Sequence, residues 1–281
     1  MPFNKRKAFG QHFLRDTAIT RLIAETALSE CDRTHARALM EIGPGKGAIT
    51  EPLLELMSGN RTGADPLQFF VCEKDRHFAA QARVNWNIRV EEEDFLELPD
   101  DRWLLVDGKP WESLVVVSNL PYSVGTAILT RLAQFPQVIP AMVLMFQAEV
   151  AQRVRAQPRT HAWGSLSVWI QNIWDVEKLV HVPPKAFIPP PKVDSEVVIL
   201  RPRTTPRIQL PDEVSRVRWQ KLLKTTFAHR RKMLRSSFPK SGPMRGALEL
   251  SEVDDTKRAE ELTWEDWSQL FLALQKVESA S

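Results

Sequence analysis

Short, continuous apolar runs alternate with stretches of helical spacing along most of this chain. The runs lie at Ala38–Ile42, Gln68–Cys72, 88–91, 113–118 and 141–146. They are rich in β-branched and aromatic side chains, the pattern of strands buried on both faces of a parallel sheet. Between them apolar residues recur every three or four positions. Ile19, Leu22, Ile23 and Ala27 predict a helix over 16–28 with Asp16 as its cap. Further helices are expected after Gly47 through Leu56, from Arg76, over 126–135 and over 149–155. Strands alternating with helices predict a doubly wound α/β sheet. Residues 57–66 read as a polar surface loop. After a proline-dense turn at 183–191 and a late strand at 193–200, the pattern becomes wholly helical beyond Pro202 and Pro206. The expected domain break is therefore near residue 203, dividing the chain into 1–202 and 203–281. Near the far end Trp264, Trp267, Leu270, Phe271, Leu274 and Val277 repeat at helical spacing, with Thr263 and Asp266 as a capping box.

One strand stops abruptly, where Val115-Val116-Val117-Ser118 runs into Asn119-Leu120-Pro121-Tyr122. Pro121 cannot donate to a ladder and holds Leu120 extended, so the strand ends there. A polar amide and an aromatic ring are thus expected at the carboxyl end of a central strand, where open α/β sheets bind ligands. Tyr122 is the only tyrosine in a chain with nine Trp and thirteen Phe, so a general packing preference does not explain it.

Composition adds limits. The chain has 281 residues, with 43% hydrophobic and 26% charged positions, which suits one large or two unequal globular domains. No apolar run is long enough to span a membrane, and the basic start lacks the apolar core of a signal peptide, so no membrane partner is expected. Cys31 and Cys72 are too few for a disulfide framework and lack metal-ligand spacing. They fit a reducing, cytoplasmic setting and no metal. The net charge of +3 says little, but its distribution is uneven. Residues 201–240 hold twelve Lys or Arg against Asp212 and Glu213 alone, and Lys5, Arg6, Lys7, Arg15 and Arg21 form a smaller basic arm. Two basic segments flanking a ligand-binding core point to a polyanion partner, most simply nucleic acid. Arg218, Lys221, Lys224, Arg230, Arg231, Lys232 and Arg235 are the candidate RNA contacts, and His229 extends the same face. On the helix that carries the first of these, Val214, Val217, Leu222, Leu223 and Phe227 are expected to pack inward.

Candidate chemistry sits at successive strand ends. Gly43-Pro44-Gly45-Lys46-Gly47 follows a strand and opens a helix, which lets the backbone approach a nucleoside. Its spacing is not that of a dinucleotide fold, and Pro44 removes an amide that would cradle a pyrophosphate. Glu73, followed by Lys74, is placed to accept from ribose hydroxyls. Asp94 could accept from an adenine amino group, with Phe95 beside the ring. These features suit an adenosine-bearing molecule without a phosphate chain, and S-adenosylmethionine fits. At the next strand end, the Asn119 amide oxygen and a backbone carbonyl near Leu120 or Pro121 could accept both N–H bonds of an exocyclic adenine amine. That would aim its lone pair at the methyl group, with Tyr122 stacked on an extruded base.

These residues resemble the ribosomal RNA adenine dimethyltransferases nearly end to end. The likeness covers Phe9-Gly-Gln-His-Phe-Leu14, Glu41-Ile-Gly-Pro-Gly-Lys-Gly47, Glu73, Asp94-Phe95, Asn119-Leu-Pro-Tyr122, Phe146-Gln-Ala-Glu-Val150, Gly164-Ser-Leu-Ser-Val168, Phe187-Ile-Pro-Pro-Pro-Lys-Val-Asp-Ser195, Arg230-Arg-Lys-Met-Leu234 and Arg258-Ala-Glu-Glu-Leu262. The resemblance implies a Rossmann-like class I methyltransferase sheet, a small C-terminal all-helical domain and S-adenosylmethionine as donor. It implies that His12, Leu14, Gly43, Glu73, Asp94 and Asn119 contact the donor, with Gly45, Lys74 and Phe95 in the same set. Asn119 to Tyr122 would hold the target adenine, and Phe187 would face it from the other side. The implied reaction is dimethylation of two adjacent adenines in a 3′-terminal hairpin of 16S rRNA during small-subunit biogenesis, by a monomer. The family usually has Asn at position 12 and Tyr at position 163. His12 would make donor binding sensitive to pH through its titration, whereas Trp163 reads as a packing replacement and Lys46 as solvent-facing. Alternatives are the large-subunit enzyme of macrolide resistance, a non-catalytic rRNA-binding assembly factor and a DNA adenine methyltransferase.

Overall fold

A computed structural model describes residues 12–59, 67–106 and 109–279. Lys5 to Lys7, the Phe9-Gly10-Gln11 part of the first motif and most of the 57–66 loop lie outside them. In chain order the elements are β1 (Phe13–Leu14), α1 (Thr17–Thr34), β2 (Ala38–Ile42), α2 (Thr50–Ser58), β3 (Gln68–Cys72), α3 (Arg76–Trp86), β4 (Arg89–Glu91), α4 (Asp100–Leu104), β5 (Leu105–Val106), β6 (Lys109–Pro110), β7 (Leu114–Asn119), α5 (Gly125–Leu132), β8 (Met142–Gln147), α6 (Ala148–Val154), α7 (Ser165–Gln171), β9 (Trp174–Val182), β10 (Phe187–Ile188), β11 (Ser195–Pro202), α8 (Glu213–Phe227), α9 (Leu234–Ser237), α10 (Pro243–Leu250) and α11 (Trp264–Ser279).

The expected strand and helix alternation builds a seven-stranded sheet in the order β4-β3-β2-β7-β8-β11-β9. The five strands from β4 to β8 run parallel, and β11 returns antiparallel beside β8 with Ser195 opposite Gln147. Every residue of β2 is buried, as are Leu114 to Ser118 and Met142 to Phe146, as strands covered on both faces require. Helix starts follow their caps. Asp16 accepts from the Ala18 and Ile19 amides at 3.1 and 3.2 Å, and Asp75 accepts from His77 at 2.8 Å. The late strand starts at Ser195, later than expected. β9 was not legible as a strand because Asp175, Glu177 and Lys178 interrupt its apolar residues.

The chain divides into two compact units. The first runs to Ala151 and resumes over Val176–Pro202; the second joins Gln152–Asp175 to everything from Arg203 onward. The break near residue 203 is present, and residues 152–175 join the second unit instead of the first. The reason is packing: Ala156, Trp163 and Val168 are buried in one cluster with Trp219, Leu222, Trp267, Leu270 and Phe271. Trp163 is fully buried and edge-on to Trp264 at 5.9 Å, consistent with a packing role. The capping box before α11 is present, with the Thr263 amide donating to Asp266 Oδ2 at 2.9 Å and the Asp266 amide to Thr263 Oγ1 at 3.3 Å.

Within the second unit α8 is rotated from its expected setting. Ser215, Trp219, Leu222, Leu223 and Thr226 face inward. Val214 and Val217, expected inside, are 58% and 52% exposed. Burying the large indole of Trp219 fixes the rotation, and the two valines then fall on the solvent side with Lys221 and Lys224.

Candidate active site

Because β4, β3, β2, β7 and β8 run parallel, their carboxyl ends share one edge of the sheet. At the end of β2 the chain turns through Gly43, Gly45 and Gly47, with φ of 69°, 54° and 87°. A Cβ on Gly47 would lie 2.3 Å from the Trp86 ring, so only glycine lets this turn pack on α3. Beyond Gly43 a Cβ would meet nothing within 4 Å, which leaves its backbone facing open space. Lys46 is exposed as expected, and its Nζ lies 4.4 Å from the centre of the Phe13 ring.

Glu41 lies beneath the turn, buried, with Thr50 Oγ1 donating to its Oε2 at 2.7 Å. Burial pushes its carboxyl up to about 8 despite that bond, and the charge of Glu73 adds to the shift. Glu73, at the end of β3, is 6% exposed. Its Oε2 accepts from the Gly45 amide at 3.1 Å and its Oε1 from the Asp75 amide at 2.9 Å. Burial raises its pKa and the backbone amides work against the rise. Each oxygen retains acceptor capacity for a further donor.

Lys74 Nζ pairs with Asp94 Oδ2 at 3.2 Å, while Asp94 Oδ1 accepts from the Leu96 amide at 3.0 Å. Phe95 differs from expectation. Its ring is 3% exposed, lies edge-on to Trp103 at 5.2 Å and sits beneath the Arg131 guanidinium. The side chain is therefore core, and what Phe95 offers is its backbone N–H, which makes no hydrogen bond among the described residues. Arg131, on α5, also donates to the Phe95 and Leu98 carbonyls and to Asp100, fastening this turn.

Asn119 closes β7, half-buried, and its side-chain amide makes no hydrogen bond among the described residues. The two backbone carbonyls left open by the sequence are not equivalent. Pro121 O accepts from the Val124 and Gly125 amides at 3.1 and 2.9 Å, whereas Leu120 O has no donor among the described residues. Leu120's own side chain is buried. Tyr122 is half-buried, its hydroxyl 2.6 Å from Ser195 Oγ. Its ring centre lies 5.9 Å from that of His12, at 31°. His12 Nδ1 is 2.7 Å from Pro189 O. A carbonyl only accepts, so Nδ1 carries the hydrogen and Nε2 of the neutral ring is left as an acceptor.

Two more candidates sit differently from expectation. β1 pairs antiparallel with β10, Leu14 opposite Phe187. Strand alternation turns both side chains inward, 4% and 1% exposed, and turns Ile188 outward at 52%. Phe187 is thus a core residue in this conformation and not an open platform, and Leu14 is buried beside it. Glu41, Arg131 and Ser195 were not singled out from the sequence. Ser195 and Glu41 lie inside the family-like motifs, but only the folded chain reveals their partners.

On the second unit, Lys221, Lys224, Arg231 and Lys232 are exposed and in no ion pair among the described residues. Arg235 is exposed too, and its charge helps hold the Asp254 carboxyl low after the Thr256 hydrogen bonds. Arg218 and Arg230 are already engaged, by Glu278 and by Glu260 with the His161 carbonyl.

Comparisons with known proteins identify the relatives of the chain. The sequence profile described as "Ribosomal RNA adenine dimethylase" matches residues 2–276. The chain is 38% identical to the ribosomal RNA small subunit methyltransferase A of Thermosynechococcus vestitus, over 97% of this chain and 98% of that protein. Among solved structures, it is similar to the 23S rRNA methyltransferase ErmE (26% identity, TM-score 0.63, covering 94% of this chain and 99% of that one). It also shares its fold with a dimethyladenosine transferase from Plasmodium falciparum (20% identity, TM-score 0.69, covering 95% and 98%).

Proposed function

Since the chain belongs to the ribosomal RNA adenine dimethylase family, and so is an rRNA adenine dimethyltransferase, we propose that it uses S-adenosylmethionine to dimethylate the N6 amines of two adjacent adenines in a 3′-terminal hairpin of 16S rRNA. The observation that carries this reading is the pair of acceptors at the end of β7 that have no donor among the described residues, the Asn119 side-chain oxygen and Leu120 O. An exocyclic adenine amine has two hydrogens and a lone pair delocalised into the ring. Two acceptors on adjacent residues would hold both hydrogens and favour a pyramidal nitrogen with its lone pair directed outward. Tyr122 supplies an aromatic face for the extruded base. No strong general base is needed, because the alkylated amine is acidic and loses its proton readily.

The donor's adenosine suits the neighbouring strand ends. Gly43 gives close backbone access, Glu73 has spare acceptor capacity for ribose hydroxyls, and Asp94 with the Phe95 N–H, unpartnered among the described residues, suits an adenine edge. When bound, the donor supplies an electrophilic methyl group on a sulfonium. The chain's own contribution is alignment. The exposure of Lys221, Lys224, Arg231 and Lys232 supports a role for them in meeting rRNA phosphates. The match to small-subunit enzymes at higher identity favours that RNA over the large-subunit one.

The test is to incubate labelled methyl donor with unmethylated small subunits and to map the modified bases by mass. Dimethylated adjacent adenines are expected with the wild type, and far slower formation of them with Asn119→Ala. Label on large-subunit RNA, or equal label with both proteins, would overturn the reading.

A further inference from the structure

Stacking on a base requires only an aromatic face, which Phe or Trp provides as well as Tyr. The chain uses thirteen Phe and nine Trp and places its one Tyr at position 122. The feature to explain is therefore the hydroxyl. It lies 2.6 Å from Ser195 Oγ, within hydrogen-bond distance whichever oxygen donates. Ser195 is fully buried as the first residue of β11, and its position is set by pairing with Gln147 at the end of β8. Tyr122 is rooted on the turn after β7, so the bond ties the free end of the ring to a second, independent strand. His12 bounds the same ring at 5.9 Å and is itself held at Pro189 O.

We infer that Ser195 is a positioning residue for adenine methylation: its hydrogen bond to Tyr122 fixes the ring at the angle it presents to the acceptor base. The inference rests on reading Asn119 to Tyr122 as the acceptor site. A ring attached at one end turns about two side-chain torsions. Anchoring its hydroxyl removes that freedom before substrate arrives, so the effect falls on alignment of the bound base and not on donor affinity.

Ser195→Ala and Tyr122→Phe each delete the bond and leave the ring. Each is expected to lower kcat by about 3–10-fold, the range for one neutral hydrogen bond, with donor Kd unchanged. The double variant is expected to be no slower than either single one, because all three lack the same bond. A second readout needs no RNA. Burial raises the Tyr122 phenol pKa and the Ser195 bond opposes the rise, so Ser195→Ala should move the titration of this sole tyrosine upward, read by ultraviolet difference absorption. Multiplicative losses in the double variant would overturn the inference, as would an unmoved titration, or a lower Tm with unchanged kcat. If the wild type methylates no small-subunit adenine, the acceptor-site reading fails. The titration still reports whether Ser195 holds the phenol.

Discussion

The strand-end edge and the outer face of α8 place polar groups by opposite means. At the strand ends Asn119, Glu73 and the Gly43 turn are located by backbone: sheet register decides where each stands, and burial then restricts what each can bond. On α8 the lysines are located by default. Trp219 turns the helix, and Lys221 and Lys224 fall on the side left over. A site of the first kind is intolerant of single changes and specific in its chemistry. One of the second kind is tolerant, additive and governed by salt.

The sharpest test of this contrast is Asn119→Ala. It removes a preorganised acceptor at the reacting nitrogen and should lower kcat by roughly 10²–10³-fold, in the range for loss of one aligned transition-state contact. A loss below tenfold with saturating substrates would put the edge on a level with the helix face. Gly47→Ala should destabilise the fold by about 1–3 kcal/mol in denaturant titration, since its methyl would lie against Trp86 and its φ of 87° suits glycine. A change under about 0.5 kcal/mol would mean that the turn has slack.

Glu41 offers a pH test of the same edge. Its folded pKa of about 8 exceeds the ordinary glutamate value, so the folded state holds the proton more tightly. Its contribution to stability is full below the unfolded pKa and declines as pH rises through about 8. Wild type should therefore lose stability relative to Glu41→Gln between about pH 5 and pH 8. Parallel stability curves for the two proteins would contradict a buried, protonated Glu41.

The smallest effects belong to the helix face. Replacing Lys221 and Lys224 together by Gln should flatten the dependence of rRNA binding on log salt by roughly 1.4–1.8. Arg218→Gln should leave the slope near its wild-type value, because that guanidinium is already paired with Glu278. Equal slope changes for paired and unpaired cations would erase the distinction.

The same contrast explains what the sequence could disclose. Strand ends were legible because a buried run stops where a proline or a turn residue stops it, and Asn119, Glu73 and the Gly43 turn all follow from that rule. Side-chain direction at short, irregular pairs was not legible. Phe95 and Phe187 read as platforms, and each turned inward because a two-residue strand or a tight turn has no period to read. Helix rotation was hidden as well, since Val214 and Val217 are as apolar as the residues that do pack, and the bulk of Trp219 decides. Residues 152–175 were assigned by their neighbours in sequence, while Trp163 joins a cluster built from side chains some fifty to a hundred positions further on.

The pairing of β1 with β10 imposes an order of events during synthesis. Leu14 leaves the ribosome early, yet its partner Phe187 is made more than 170 residues later. The segment around Leu14 must therefore wait for that partner while the sheet assembles, as distant contacts generally do. The flank that carries His12 and Phe13 is completed only after most of the polypeptide has emerged. An rRNA methyltransferase thus completes one side of its own candidate site at a late stage of its translation.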